Sequence, residues 1–326
     1  MFSWMKKLSI MGKAATARKN PRFASLFVTR RCDLHCEYCR SRDQGFPDID
    51  LEAWEGIVNR LHGWGVRHFS ITGGEPMLRK GISLLVEHIA KRKKSVCWLI
   101  SNFRPMTASA LDDLAEAGLD FLTCSMDSLQ GPGEKSGRTC LSLLEYARAR
   151  GIVPACLAVV TKRNINDIPE LLADTTRRGM LFDMGLYQHV GGLFSPGDDG
   201  LKVKDRAALE DLRTLVRKAK RESGLVAPSF GYLNADLAMY EKMSWKCSAD
   251  RDSFLVVNND GRLMACQEHL TDVDVRSIAS LSDPAWRKAK REKVEACRGC
   301  FYGCYYQKEN VRLADALYGL YTLLMI

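Results

Sequence analysis

The sequence predicts an α/β protein in which six βα units form a parallel sheet, open or curled into a partial (β/α)6 barrel, followed by a small C-terminal cysteine-rich module of β-hairpin and helix. Three observations carry that expectation. Between residues 23 and 187, short β-branched runs alternate with helical patterns of about a dozen residues. Beyond Trp245 the texture changes to a hairpin. The 326 residues, 46% hydrophobic and 27% charged, allow a large core and exclude a disordered chain.

No acid occurs in the first 32 residues, and Phe2, Trp4, Met5, Leu8 and Met11 share that stretch with Lys6, Lys7 and Lys13. This basic amphipathic segment, residues 1–22, has two readings: peripheral contact with an anionic membrane, or packing against the barrel. It lacks an apolar stretch of signal-peptide length and a small-residue cleavage site. No run in the chain reaches about 18 uninterrupted apolar residues, so a cytoplasmic protein without a spanning helix is expected.

Strands are expected at residues 23–29, 66–72, 96–100, 120–125, 153–160 and 181–187, with helices at 51–62, 81–92, 107–117, 139–150 and 167–178, several closed by a glycine such as Gly118, Gly151 or Gly179. Reactive residues should lie at the carboxyl ends of such strands. The core spans residues 23–200, and its last stretch, 191–200, is rich in Gly, Pro and Asp and reads as a linker or active-site loop. Linking helices fill 201–244, with a charged one at about 204–222. A hairpin at 254–258 and 262–266, turned by Asn259-Asp260-Gly261, marks a module at 245–312, and an apolar tail occupies 313–326.

Forty-eight Lys and Arg against 39 Asp and Glu give a net charge of +9, which would suit an anionic substrate, a membrane surface or nucleic acid and selects none of them. The 12 cysteines are more telling, because eight lie in two tight groups. In a protein without an export signal, thiols are expected to be metal-bound or reduced. Cys32, Cys36 and Cys39 follow the first strand as C-x3-C-x2-C. Three thiolates so close can ligate three irons of a 4Fe-4S cluster and leave the fourth iron without a protein ligand. The alternative is a zinc knuckle completed by His35.

Cys247, Cys266, Cys297, Cys300 and Cys304 form the second group, two thiols bracketing the hairpin and a compact C-x2-C-x3-C turn. Four of these five suffice for a further cluster, the alternative being a zinc ribbon. Cys97, Cys124, Cys140 and Cys156 are scattered and read as small buried hydrophobes, Cys124 drawing notice because it precedes Ser125. Gln188 and His189 end the sixth strand at the reactive rim; His62, His68 and His88 read as surface or packing residues. The run from Lys91 to Lys94 closes a helix as a solvated face.

With Tyr38 between Cys36 and Cys39, and Gly73-Gly74-Glu75-Pro76 after the second strand, the chain resembles the radical S-adenosylmethionine (radical SAM) superfamily over about residues 23–190. The resemblance implies a partial TIM-like barrel, a 4Fe-4S cluster on the first three cysteines, and S-adenosylmethionine (SAM) chelating the open iron. An electron from the cluster then yields methionine and a 5′-deoxyadenosyl radical that abstracts hydrogen from an unactivated C–H bond. Tyr38 resembles the aromatic residue that packs near the adenine. Gly73, Gly74 and Glu75 resemble the elements that receive the methionyl ammonium, two glycines allowing close backbone approach, and Ser125 a serine near the ribose or carboxylate. Ser101-Asn102-Phe103 stands where relatives often show Thr-Asn-Gly.

The second cysteine group, with Gly261-x4-Cys266, resembles the SPASM and twitch extensions of that superfamily. It implies one auxiliary 4Fe-4S cluster in an electron-relay role, with either Cys297, Cys300 or Cys304 spare. The expected function is therefore a radical SAM enzyme acting on a small molecule such as a metabolite, an aminosugar or a lipid-like compound. A maturase of a ribosomally made peptide is the alternative, although the N-terminal segment is short for a leader-peptide-binding domain; a cobalamin-dependent methyltransferase is not expected. A reducing partner such as flavodoxin or ferredoxin is expected. A non-catalytic iron-sulfur or zinc protein binding nucleic acid would use the basic charge, but it leaves Gly73-Gly74-Glu75-Pro76 unexplained and finds no groove of interleaved basic and aromatic residues, so no nucleic acid is expected.

Overall fold

In the computed structural model, whose described residues are 4–16, 21–130, 135, 137, 139–193, 195, 199–247, 249–309, 318, 319 and 322, helix α1 (Trp4–Ala15) precedes an alternation of strands and helices. This runs β1 (Phe23–Phe27), α2 (Leu51–Gly63), β2 (His68–Thr72), α3 (Ile82–Glu87), β3 (Val96–Ser101), α4 (Ala108–Glu116), β4 (Phe121–Ser125), α5 (Thr139–Ala149), β5 (Val153–Val160), α6 (Ile168–Arg177) and β6 (Leu181–Leu186). Helix starts carry their own signals: Asp50 and Thr107 accept from the amides of Ala53 and Ala110 at 2.7 and 3.2 Å. Residues 81–92, expected as one α-helix, change to π-helical winding at His88–Arg92.

Strands β1 to β6 are parallel and lie in the order β6-β5-β4-β3-β2-β1 without reversal. A doubly wound sheet would reverse; here every crossover steps the same way, so the helices collect on one face and the sheet curls away from them. Alternation shows the consequence. Leu26, Ile71, Leu99, Leu122, Ala158 and Phe182 point at the helices and pack with Trp54, Ile57, Leu85, Leu111, Leu144 and Leu171 in one core. Each such aliphatic side chain removed from water contributes roughly 1.5–3 kcal/mol. Their alternates Ser70, Thr72, Trp98, Ile100, Ser125, Leu157, Val159, Asp183 and Gly185 are only half-buried, so the other face is open.

Helix α1 closes the amino-terminal end of that open face. Ile10, 4% exposed, packs with Val153, Ala155 and Leu181, while Lys6 and Lys13 both donate to the buried carboxylate of Asp120 at 3.0 and 2.8 Å. The segment thus docks on the barrel, with Met5 and Leu8 left exposed; Phe2 lies outside the described residues.

After β6 come α7 (Arg206–Ser223), α8 (Phe230–Leu233) and α9 (Leu237–Lys242), then β7 (Phe254–Val257), β8 (Arg262–Met264), β9 (Leu270–Asp274), α10 (Pro284–Ala296) and α11 (Gly303–Glu309). The expected hairpin forms, and β7 lies parallel to β1, so the module's strands extend the barrel sheet to nine, ending at β9. The sheet does not close. Of the apolar tail only residues 318, 319 and 322 are described; the Tyr318 hydroxyl donates to the Lys220 carbonyl at 3.0 Å.

Candidate active site

The backbone leaving β1 at residues 29–31 runs beside the backbone leaving β2. Gly74 donates to the Thr29 carbonyl at 2.7 Å and Glu75 to that of Arg31 at 2.8 Å. Only glycines fit here: a Cβ on Gly73 (φ 151°) would stand 2.3 Å from the Thr29 oxygen, and one on Gly74 2.1 Å from the Arg31 oxygen. The close approach expected of Gly73 and Gly74 is therefore made to the segment that leads into Cys32.

Three thiols follow on the loop from β1 to α2. The amide two residues on donates to the sulfur at both Cys32 (Leu34, 3.5 Å) and Cys39 (Ser41, 3.5 Å), and Cys39 donates its own amide to the Cys36 carbonyl. Asn102 Nδ2 lies 3.7 Å from the Cys32 sulfur and donates to Asp33 at 2.8 Å. Such donors favour thiolate and tune a bound cluster. Burial still pushes the Cys32 thiol up, so a bound metal has to displace its proton. His35 is exposed and bonded to Arg42. Among the described residues no three His, Cys, Asp or Glu side chains converge as a single metal ion requires.

Glu75 is wholly buried. Its carboxylate accepts from the Met77 amide (3.0 Å), the Ser101 hydroxyl (2.8 Å) and the Asn102 amide (2.6 Å). Burial outweighs these donors and raises the carboxyl to about 6. Ser101-Asn102 at the end of β3 therefore holds the carboxylate that follows β2. Tyr38 reaches over the open face, where its hydroxyl donates to Asp127 beyond β4 and its ring lies 6.4 Å from that of Tyr187 beyond β6. Burial holds the Tyr38 phenol well above its ordinary range. Ser125, half-buried at the end of β4, shares that rim.

Sequence reasoning missed what pins the cysteine loop. Arg30, 2% exposed, donates through Nε to Asn258 Oδ1 at 2.9 Å, and Asn259 Nδ2 donates to the Phe46 carbonyl and to Asp48 at 2.8 and 2.9 Å. Asp48 also accepts from the Thr29 hydroxyl at 2.7 Å. The hairpin turn of the C-terminal module thus clamps both ends of the loop. Burial lowers the Arg30 guanidinium to about 10, where it remains charged. Asn-Asn-Asp-Gly signalled a turn, and nothing in its composition signalled the clamp.

Cys247, Cys266, Cys297 and Cys300 line one cavity together with Trp245, His269, Lys246 and Lys293, enclosing about 370 Å3 of empty space that includes open solvent. The amide-to-sulfur contact of the first group recurs here, Glu268 to Cys266 and Gly299 to Cys297, both at 3.4 Å. Cys266 is raised to about 12 by burial. The donor set of four thiols with cations nearby fits a thiolate-ligated cluster. The Cys304 side chain lies outside the described residues. Of the scattered thiols, Cys97, Cys124 and Cys156 are fully buried and Cys140 half-buried. Gln188 is buried too, its Oε1 accepting from the Phe301 amide, and His189 beside it is half-buried.

Residues 26–174 match the profile of the Radical SAM superfamily. That stretch is a Radical SAM domain. Such a domain implies a 4Fe-4S cluster and SAM as cofactors. A GTP 3′,8-cyclase of Ectopseudomonas mendocina is 28% identical over 218 residues, 62% of this chain and 66% of that protein, which is less than two thirds of its length. A PqqA peptide cyclase of Bradyrhizobium diazoefficiens is 25% identical over 300 residues, 84% of this chain and 74% of the cyclase. Among solved structures, Streptococcus suis SuiB bound to its precursor peptide SuiA superposes with a TM-score of 0.65 at 19% identity, covering 94% of this chain and 77% of SuiB. That likeness bears on the fold, a partial TIM-like barrel for this radical SAM chain.

Proposed function

We propose that this radical SAM protein is an enzyme in which Cys32, Cys36 and Cys39 hold a 4Fe-4S cluster with one iron open to SAM, acting on a small molecule bound against the open face of the barrel. The observation that carries the reading is the loop itself: three thiols at the carboxyl end of β1, two of them with an amide donor two residues on, set beside the Gly73–Glu75 backbone. When bound, cluster and SAM supply reductive carbon–sulfur cleavage and hydrogen-atom abstraction. The chain's own residues orient and enclose. Glu75, held by Ser101 and Asn102, fixes the Gly73-Gly74 ridge whose backbone would receive the methionyl ammonium; Tyr38, tethered by Asp127, would lie near the adenine, and Ser125 near the ribose or carboxylate.

Four of Cys247, Cys266, Cys297, Cys300 and Cys304 supply the ligands of an auxiliary cluster in a twitch-like module, for which the four-thiol cavity is the support. A reducing flavodoxin or ferredoxin would feed electrons to the first site. The alternative substrate is a ribosomally made peptide, favoured by the likeness to a PqqA peptide cyclase across 84% of the chain.

Anaerobic reconstitution followed by chemical reduction tests the assignment. Wild type should release 5′-deoxyadenosine from SAM, and Cys36→Ala should release none. Undiminished 5′-deoxyadenosine from the variant would refute the role given to the loop.

A further inference from the structure

Among the described residues, β6 forms one edge of the sheet and β9 the other, so strands leave the barrel open between β6 and the C-terminal module. At the reactive rim the chain itself crosses that gap. Leaving β6, it passes Gln188, whose Oε1 accepts from the Phe301 amide, and reaches Leu193 and Ser195, which meet Glu268 between β8 and β9. From the loop that carries the first cysteines, Gln44 Nε2 donates to the Leu193 carbonyl at 3.1 Å. Barrel, cysteine loop and module thus meet on one short segment.

Glu268 stands at the centre of that meeting. It is 5% exposed, its Oε1 accepts from the Tyr302 hydroxyl at 2.9 Å and its Oε2 from the Ser195 amide at 3.4 Å, while its carbonyl accepts from the Leu193 amide at 3.0 Å. Its own amide donates to the Cys266 sulfur. The fit is close as well as polar, since a Cβ on Gly192 would stand 2.4 Å from the Glu268 Cβ and 2.7 Å from its carbonyl oxygen. Leu193 packs in one cluster with Trp245, Cys247 and Cys266. Each carboxylate oxygen serves a different partner, one on the module and one on the segment after β6, so a side chain with a single acceptor oxygen cannot hold both.

We propose that Glu268 is a positioning residue that closes the reactive rim sideways, holding the segment after β6 against the module so that dioxygen and water are kept from a cluster on Cys32, Cys36 and Cys39. This goes beyond the radical SAM reading and rests on it, since that cluster is what the closed rim shields.

Anaerobic hydrogen exchange of residues 187–195 in the reconstituted protein, followed by mass spectrometry, compares wild type with Glu268→Gln and Glu268→Ala. Gln keeps the shape and one acceptor oxygen, so exchange should quicken by about tenfold, and by more in Ala, which keeps neither. In timed exposure to air, the paramagnetic resonance signal that responds to SAM should be lost soonest in Ala, later in Gln and last in wild type. Glu268→Gln matching wild type in exchange overturns the proposal, because it would leave the side chain only filling space, and this near-isosteric variant decides the matter even where Ala does not fold. Equal survival of the SAM-responsive signal in air overturns it as well. Wild type giving no signal that responds to SAM would instead strike the radical SAM reading, and the exchange order would still decide the role of Glu268.

Discussion

Glu75 is the side chain on which two segments meet. Because burial raises its carboxyl from 4.5 to about 6, the folded chain holds this proton more tightly than the unfolded chain does. Its favourable contribution is complete below the unfolded value and is lost as pH rises through about 6, about 2 kcal/mol across the window at 1.36 kcal/mol per unit. Glu75→Gln should flatten that dependence, so urea midpoints of the cluster-free variant should vary less with pH between about 4.5 and 7 than those of wild type. An unchanged slope would place the carboxylate in solvent. Asn258→Ala withdraws the carbonyl that accepts from the buried Arg30, and equilibrium unfolding should report a loss of about 1.5–3 kcal/mol. Glu75 was legible from its Gly-Gly-Glu-Pro context. Its partners Ser101 and Asn102 were not, since only the pairing of β2 with β3 brings them together, and no motif set Arg30 apart.

Strands β1 to β6 were legible to within two residues, because each keeps apolar residues at its helix-facing positions. Helix α10 was missed for the opposite reason. It is mostly charged, and its buried residues are Trp286 and Lys290, both anchored on Asp252 at 3.2 and 2.7 Å, so it lacks a continuous apolar stripe. Two tests belong to elements. Gly74→Ala drives a methyl into the Arg31 carbonyl and should displace the cysteine loop, lowering reconstituted iron from about eight to about four per chain. Iron retained at the wild-type level would mean the ridge does not position the loop. Ile10→Ala empties the contact between α1 and the barrel floor and should cost about 2 kcal/mol, read as a lower melting temperature.

Across the whole molecule, the pairing of β7 with β1 matters most for the chemistry. It turns the expected appendage into an extension of the barrel sheet, so the turn that clamps the first cysteine loop and the strand that leads to Cys266 belong to one hairpin. Cysteine spacing made both groups legible, but the clamp needed the sheet order, which no local pattern contains. The central claim, that three thiols leave one iron open, is tested most directly by electron paramagnetic resonance of the reduced protein carrying Cys247→Ala and Cys266→Ala, which should keep only the first cluster. Adding SAM should shift that cluster's spectrum, because the ligand enters the iron's own coordination shell. A spectrum unchanged at saturating SAM would contradict the account.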